Sequence, residues 1–215
     1  MKKIFTEIEL EQIKKAVQEA EKTTSAEIVP VFFESCGIYA DTYWKSGILF
    51  ASIISFLYLI FDNLNYITFD MNLQYFFTMQ MSAGLLGVIA VYLIPSWKRL
   101  LLDRMDVKNR VRDVAFRVFL EESVFNTKER TGMLLFMSFL EKEAVILGDE
   151  GINKKVNPEI WKGILTQLTS GMKRGDKTTA IIHTIQVMGN LLKQFPIQAN
   201  DKNELSDELR IGDKN

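Results

Sequence analysis

Apolar residues in this chain are concentrated in two long runs, Trp44 to Phe61 and Phe76 to Ile94, joined by a short polar loop. Lys45 is the only charged residue within them, and each run is apolar all round instead of along one stripe. As helices rising about 1.5 Å per residue, runs of 18 and 19 residues would each measure roughly 27–28 Å, close to the hydrocarbon thickness of a bilayer. The pattern predicts a transmembrane helical hairpin over residues 44–94.

The alternative is a pair of helices buried in a soluble core, because apolar runs only slightly shorter than these occur in globular proteins. Aromatic residues near the ends of the runs favour the membrane, where they suit the two interfaces: Trp44, Tyr58, Tyr66, Tyr75, Tyr92 and Trp97. Gly47, Ala51 and Ser55 repeat every four residues, as Ala83 and Gly87 do in the second run. These small residues let the two predicted helices approach closely.

Basic residues flank the predicted hairpin but are missing from the loop between its helices. Before the first run stand Lys2, Lys3, Lys14, Lys15, Lys22 and Lys45; after the second stand Lys98, Arg99, Arg104, Lys108, Arg110, Arg112 and Arg117. The positive-inside rule places both termini in the cytoplasm and the loop outside. Met1 to Gln18 lacks the apolar core of a secretory signal, so the first predicted transmembrane helix would direct insertion. These patterns predict a multi-pass protein of the cytoplasmic membrane.

Shorter patterns predict a soluble domain of alternating helices and strands on both sides of the hairpin. Thr6 to Lys22 has helical apolar spacing and begins with a capping box formed by Thr6 and Glu9. Glu27 to Phe33 is rich in β-branched and aromatic residues and predicts a strand, in which Pro30 requires an edge position, a bulge or a strand end.

After Pro95 the sequence predicts a long helix and then a buried β-hairpin formed by Gly132 to Leu140 and Ala144 to Gly148. A turn at 149–151 would follow, with Gly151 at positive φ. Two further helices begin at the Asn157 cap and at about Thr178. The predicted organisation is one domain in two parts, residues 1–43 and 95–205, interrupted by the hairpin at 44–94 and followed by a flexible tail at 206–215.

Composition removes several function classes. The formal net charge of −1 provides no basic footprint for nucleic acid, so no nucleic-acid partner is expected. Cys36 is the only cysteine, which excludes an internal disulfide and a Cys-rich zinc site. An inert Cys36 thiol and a reversibly acylated one both stay open.

Several short phrases of the chain match one known family. They are Thr24 to Val31, Thr127 to Phe136 with the downstream Glu141, Asp149 to Ile152, Trp161, Gly171 to Gly175, Phe195-Pro196, and Asn203 to Leu205 with Asp207. In these phrases the chain resembles the TPM domain family, which includes bacterial membrane proteins and plant thylakoid proteins associated with photosystem II repair. It also resembles the subgroup in which a transmembrane hairpin interrupts the domain after its first strand. The resemblance implies an α/β/α sandwich with a small central mixed sheet, in the bacterial inner membrane.

The resemblance also supplies the candidate site. Glu27, Arg130 and Thr131 are the candidate ligand-binding residues, and Asp149 is the candidate metal ligand, with calcium or magnesium as the implied cation. Arg130 suits a phosphate oxygen because its guanidinium binds in a bidentate way. Each residue also has an ordinary structural interpretation, in a strand, at a strand entrance or in a turn. The chain lacks a dense Asp-rich loop, which argues against a metal.

Two functions follow from these patterns. The first is a membrane-anchored accessory or binding module, which contacts the lipid bilayer and engages other membrane proteins during their assembly or maintenance. The alternative, implied by the resemblance, is a weak metal-assisted acid phosphatase acting on phosphomonoesters, with the metal and Arg130 offsetting charge on the transferring oxygens. No catalytic residue is assigned from the sequence.

Overall fold

The computed structural model describes residues 4–64, 73–196 and 204–212. Helices are α1 (Glu7–Glu21), α2 (Asp41–Asn63), α3 (Leu73–Leu93), α4 (Pro95–Leu100), α5 (Arg104–Glu121), α6 (Glu150–Lys155), α7 (Pro158–Arg174) and α8 (Lys177–Leu192). Strands are β1 (Glu27–Phe33), β2 (Gly132–Ser138), β3 (Glu143–Gly148) and β4 (Arg210–Gly212). Tyr66, Asn203, the middle of the loop between the apolar runs and the last three residues of the predicted tail lie outside the described residues.

The chain divides into two compact units. The first, called the α/β unit below, joins the residues up to Gly37 to those from Lys108 onward, and the second spans Ile38–Val107. The second unit contains α2, α3 and α4 and is therefore wider than the hairpin predicted at residues 44–94.

The α/β unit contains a four-stranded mixed sheet in the order β3-β2-β1-β4. β1 is parallel to β2 along its whole length, from Glu27 opposite Gly132 to Phe33 opposite Ser138. β4 is also parallel to β1, whereas β3 is antiparallel to β2. The predicted mixed α/β fold is confirmed.

Successive side chains of a strand point to opposite faces of the sheet. Ile28 and Phe32 of β1, with the register partners Met133 and Met137 of β2, face a core built with α1, α6, α7 and α8. The intervening residues of both strands are also buried, so the second face of the sheet is covered as well. α5 carries a buried apolar stripe that lies outside that first core: Val111, Val114, Ala115, Val118 and Phe119.

Local signals explain where the helices of the α/β unit begin and end. Thr6 caps α1 in the predicted capping box: its hydroxyl accepts from the Glu9 amide at 3.2 Å, and the Glu9 carboxylate accepts from the Thr6 amide at 2.8 Å. Asn157 caps α7 with Pro158 at the first helical position. α7 ends at Gly175, whose φ of 91° lies in the left-handed region that glycine adopts at little cost.

Pro30 lies in an interior strand, yet at a place where its missing amide is harmless. The amide of Ile28, two residues earlier and therefore on the same side of β1, donates to the Glu21 carboxylate at 2.7 Å instead of to a strand. β4 pairs with β1 only from Val31 onward. Pro30 therefore stands just before the point where pairing on that side begins, which satisfies the predicted requirement for a local strand edge.

Two sequence predictions are wrong. The tail predicted to be flexible over 206–215 contributes a strand, because Arg210 to Gly212 pair with Val31 to Phe33. The predicted turn at 149–151 is instead the start of α6, and Gly151 is not at positive φ. Gly151 is needed for space: an added Cβ would lie 2.7 Å from the carbonyl oxygens of Glu129 and Arg130.

In the second unit, α2 and α3 pack side by side through small residues. A Cβ on Gly87 would lie 2.5 Å from the Ser46 carbonyl oxygen, and one on Gly47 would lie 3.3 Å from that of Gly84. The Ser46 hydroxyl donates to the Gly87 carbonyl at 2.7 Å and accepts from the Trp97 indole at 2.8 Å. The two helices form a close hairpin, as the spacing of small residues predicts.

Candidate functional site

The four candidate residues meet at one edge of the sheet, which we call the amino edge. Glu27 begins β1, and Arg130 and Thr131 directly precede β2. Asp149 follows β3, which runs back to the same edge because it is antiparallel, and its amide donates to the Gly132 carbonyl at 2.9 Å. Residues that are distant in sequence are therefore brought together.

Arg130 and Asp149 form a two-point ion pair at this edge. The Arg130 Nε lies 2.7 Å from Asp149 Oδ2, and its Nη2 donates to Oδ1 at 3.0 Å. The Asp149 side chain is 6% exposed, whereas that of Arg130 is 53% exposed. Asp149 Oδ1 also accepts from the Glu150 amide at 2.7 Å and so caps α6. The buried carboxylate is bound from two sides, and the guanidinium remains half open to solvent.

Arg130 is held in an unusual backbone conformation. Its φ is +59°, in the left-handed region that most non-glycine residues avoid. Its amide donates to the Thr127 carbonyl at 3.1 Å, and its own carbonyl accepts from the Gly151 amide at 2.9 Å. The guanidinium also lies over the Phe125 ring, 5.7 Å from the centroid. The turn before β2 therefore presents this side chain in a defined position.

Thr131 and Glu27 have structural contacts of their own. The Thr131 hydroxyl donates to the Ser25 carbonyl at 3.0 Å, and its amide donates to the Thr127 hydroxyl at 2.9 Å. Glu27 is 7% exposed, and its carboxylate accepts from the Glu204 amide at 3.2 Å. Of the four candidates, Arg130 is the one whose charged group is broadly accessible.

A second acidic residue, which the sequence patterns did not indicate, lies beside Glu27. Glu21, at the end of α1, accepts from the Ile28 amide at 2.7 Å. Burial raises the pKa of the Glu21 carboxyl to about 9; the Ile28 amide opposes the rise, and the Glu27 and Asp207 carboxylates add to it. The sequence could have indicated this burial, because Glu21 follows the buried Val17 by four residues and therefore lies on the same face of α1.

A buried carboxylate also lies at the opposite edge of the sheet, beyond the carboxyl ends of β1 and β2. Glu141 is 6% exposed and accepts from the Cys36 amide at 2.8 Å, from the Ser35 hydroxyl at 3.3 Å and from the Ser138 hydroxyl. Burial raises the pKa of the Cys36 thiol to about 12, despite a hydrogen bond with Ser138. A thiol in this state is a poor nucleophile, which supports the inert interpretation of Cys36.

The residues around Asp149 do not fit a divalent cation. Such ions take several converging oxygen ligands, and here the Arg130 guanidinium and the amide of α6 already use the carboxylate. Within residues 4–64, 73–196 and 204–212, no three His, Cys, Asp or Glu side chains are grouped so that they could hold a metal ion. The metal role assigned to Asp149 stays a prediction.

Comparison with known proteins supports the resemblance stated above. Residues 89–191 match the family model described as the TPM domain. An NMR structure of the BA42 protein from the psychrophilic bacterium Bizionia argentinensis is 21% identical, with a TM-score of 0.59 over 99% of this chain and 98% of that one. This likeness shows a shared fold. No curated protein matches the chain.

The matched segment includes three of the four candidate residues. Arg130, Thr131 and Asp149 lie within residues 89–191, whereas Glu27 precedes them. The segment runs from the end of α3 into α8 and so contains β2 and β3, the two strands next to the Arg130–Asp149 pair. The match confirms the resemblance to the TPM domain for residues 89–191, a little under half of the chain.

Proposed function

We propose that this protein is a membrane-anchored binding module whose α/β unit lies in the cytoplasm and engages other membrane proteins during their assembly or maintenance. The observation that carries the proposal is an exposed apolar helical hairpin inserted between two strands of one sheet. It supports the subgroup in which a transmembrane hairpin interrupts the TPM domain. The bilayer is then the first partner of the chain.

The exposure of α2 and α3 separates them from the core helices of a soluble protein. Both helices are long and apolar enough to cross a membrane. Only 6% of the most apolar stretch of α2 is buried, and 17% of that of α3. Large apolar side chains exposed on them include Ile48, Phe56, Leu59, Phe77, Leu85, Leu86 and Leu93. A continuous apolar surface of this kind needs lipid or a partner to cover it.

The pairing of β1 with β2 supports a hairpin that enters and leaves the membrane on one side. β1 ends at Phe33, before α2, and β2 begins at Gly132, after α3. The two strands pair over seven register positions, so the segments flanking the hairpin belong to one sheet and must occupy one compartment. The basic flanks then favour the cytoplasm for both termini.

The chemistry of the amino edge favours binding over catalysis. Asp149 and Thr131 already have partners that stabilise the fold, whereas Arg130 presents a guanidinium that is half exposed and oriented. An arginine held in this way recognises carboxylates and aromatic or planar polar groups on a partner surface. We therefore place the partner-binding surface around Arg130 and the neighbouring exposed side chains of Glu129 and Glu150.

The anchor is tested by membrane fractionation. We expect the full chain to stay in the membrane pellet through alkaline carbonate washing, because about 20 apolar residues per helix hold it in the hydrocarbon core. Cysteines introduced near either terminus, in a Cys36→Ser background, should react with a membrane-impermeant maleimide only after the cells are opened. A cysteine at Asn65 in the connecting loop should react in intact cells. Recovery in the soluble fraction, or labelling of the termini in intact cells, would overturn the topology.

The partner surface is tested by photo-crosslinking in native membranes. A benzoylphenylalanine at Glu129 or at Glu150 should form the same adducts with identifiable membrane proteins. The matched control is Lys162, an exposed position of α7 that is paired with Glu159, where those adducts should be missing. No adduct from either edge position, or the same adducts from position 162, would exclude this surface.

Phosphatase activity is the second candidate, favoured by the meeting of Arg130 with three other polar residues at one edge. If the binding module is the function, the purified chain should hydrolyse a generic phosphomonoester no faster than its Arg130→Lys and Asp149→Asn variants, with or without calcium, magnesium or manganese. Arg130→Lys keeps a cation beside Asp149 and loses the planar fork, so it separates phosphate binding from folding. Hydrolysis that falls at least tenfold in Arg130→Lys would instead establish the phosphatase.

A further inference from the structure

The outer strand β3 has one edge without a neighbouring strand among the described residues. The strand order β3-β2-β1-β4 ends at β3, whose pairing partner is β2. Every residue of β2 is buried, whereas all residues of β3 except Ala144 are half-buried. Natural proteins protect such an edge with lysine, proline or a β-bulge. β3 contains no lysine or proline, and its register with β2 is uninterrupted, so its outer edge is able to pair.

The register of β3 with β2 shows which backbone groups face this outer edge. In an antiparallel pair, residues that exchange hydrogen bonds across the pair alternate with residues whose N–H and C=O point away from it. The Asp149 amide, directly after β3, donates to the Gly132 carbonyl of β2 at 2.9 Å. Every second residue of β3, counted back from Asp149, therefore bonds to β2. Ala144 and Ile146 lie between these positions and direct their N–H and C=O groups outward.

The contact of Gly148 is an independent indication of the same direction. Gly148 follows Ile146 by two residues, and its carbonyl accepts from the Asn153 side-chain amide at 2.6 Å instead of from β2. Ala144 and Ile146 present two N–H donors and two C=O acceptors at the edge, and none of the residues that the structure describes bonds to these four groups. Backbone groups presented in this way at a sheet edge bind an extended segment.

We propose that two copies of this chain associate through the outer edges of their β3 strands, antiparallel and about a two-fold axis at Val145. In this register Ala144 of each copy exchanges hydrogen bonds with the partner's Ile146, which satisfies all four outward groups of each chain. Val145 lies opposite the partner's Val145, and Glu143 lies opposite the partner's Leu147. The two sheets become one continuous sheet. This association involves only β3, so it is independent of the membrane anchor and of the partner surface proposed above.

The residues at both ends of β3 select this register from its neighbours. An axis at Ile146 would place Glu143 opposite the partner's Asp149, and like charges that are directly opposed destabilise a strand pair. An axis at Ala144 would require pairing at Lys142, whose φ of 54° is not that of an extended residue. The proposed register avoids both costs. The edge is therefore complementary to itself, which identifies a second copy of the chain as its occupant.

Cysteine cross-linking of the full chain in detergent, in a Cys36→Ser background, tests the register. Val145→Cys should form a disulfide-linked dimer under mild oxidation, because opposed residues that do not exchange hydrogen bonds have Cα atoms about 4.5 Å apart, within the range of a disulfide. Leu147→Cys is the matched control, since it is also half-buried. Its two copies would lie roughly 13 Å apart or more, at about 3.4 Å per residue, and should stay unlinked. A mixture of Glu143→Cys and Leu147→Cys chains should cross-link, because these positions are opposed.

A charge swap at the axis separates association from folding. Val145→Lys and Val145→Glu each place two like charges opposite one another, so each variant alone should sediment as a monomer where the parent is a dimer. Mixing the two variants should restore the dimer, which a folding defect would not allow. Val145→Cys chains that stay unlinked, Leu147→Cys chains that cross-link as fully as Val145→Cys chains, or a Val145→Lys variant that remains a dimer would overturn the inference.

Discussion

Gly132→Ala should destabilise the α/β unit by about 3 kcal/mol or more, because a small group is forced into a position that has no room for it. Gly132 begins β2, and a Cβ built there overlaps the carbonyl oxygen of Val124, a backbone atom in the segment between α5 and β2. Neither side can yield cheaply, since β2 pairs on both of its edges. Denaturant unfolding of the full chain in detergent, followed by the fluorescence of Trp161 in α7 with Trp44 and Trp97 replaced by phenylalanine, measures the loss.

Gly163→Ala is the matched control for this substitution. Gly163 lies within α7, and a Cβ there meets nothing within 4 Å. Alanine is the better helix former by about 1 kcal/mol, so this variant should be more stable than the parent. If both variants unfold at the same denaturant concentration, the close approach of β2 to the Val124 carbonyl is not a feature of the protein in solution.

Glu21→Gln should stabilise the protein at neutral pH. Because burial and two nearby carboxylates raise the Glu21 pKa from 4.5 to about 9, the folded state keeps a proton at pH 7 that the unfolded state has lost. At about 1.4 kcal/mol per pKa unit, this retention costs the parent on the order of 3 kcal/mol at pH 7. Glutamine keeps the acceptor for the Ile28 amide without that cost.

The raised pKa of Glu21 determines how the stability of the parent changes with pH. Below about pH 4.5 Glu21 is protonated in both states, and its contribution to stability is complete. As pH rises from 4.5 to about 9 only the unfolded state ionises, so the parent loses stability across this window. Glu9 has the opposite effect on stability, in a lower pH range. Hydrogen bonds from Thr178 and Thr6 lower its pKa to about 2, so its contribution to stability is lost only as pH falls below 4.5.

Denaturant unfolding at pH 5, 6, 7 and 8 measures the effect. The parent should weaken progressively over this range, whereas Glu21→Gln should be nearly constant and most stabilising at pH 8. Glu19→Gln, an exposed position on the same helix, should follow the parent. A parent whose stability does not fall from pH 5 to 8 would contradict the raised pKa.

The sequence indicates which residues are candidates for a site, but it does not show how they contact one another. Glu27, Arg130, Thr131 and Asp149 were chosen from short phrases, and the topology brings all four to one edge. Their contacts could not be predicted, because a short sequence motif does not determine the distances between side chains in the folded protein. The left-handed turn that orients Arg130 and the capping of α6 by Asp149 depend on how the loop before β2 meets the end of β3.

The sequence by itself determined those helices and strands that depend on interactions between residues close in the chain. The capping box of α1, the Asn-Pro start of α7, the glycine that ends it and the two long apolar runs follow from neighbours within a few residues, as do the strands β1, β2 and β3. Periodicity and capping act at this range, so they can be read directly from the order of residues.

Only the tertiary structure decided the pairing of β4, the environment of Glu21 and the placement of the four polar residues at one edge. β4 has three residues and no apolar alternation, so it forms through contacts with distant residues, above all its pairing with Val31 to Phe33. The pKa of Glu21 is raised because the fold buries its carboxyl group and brings Glu27 and Asp207 close to it. Such effects arise from burial and from charges brought close by the fold, and these quantities do not exist in the chain until the sheet has formed.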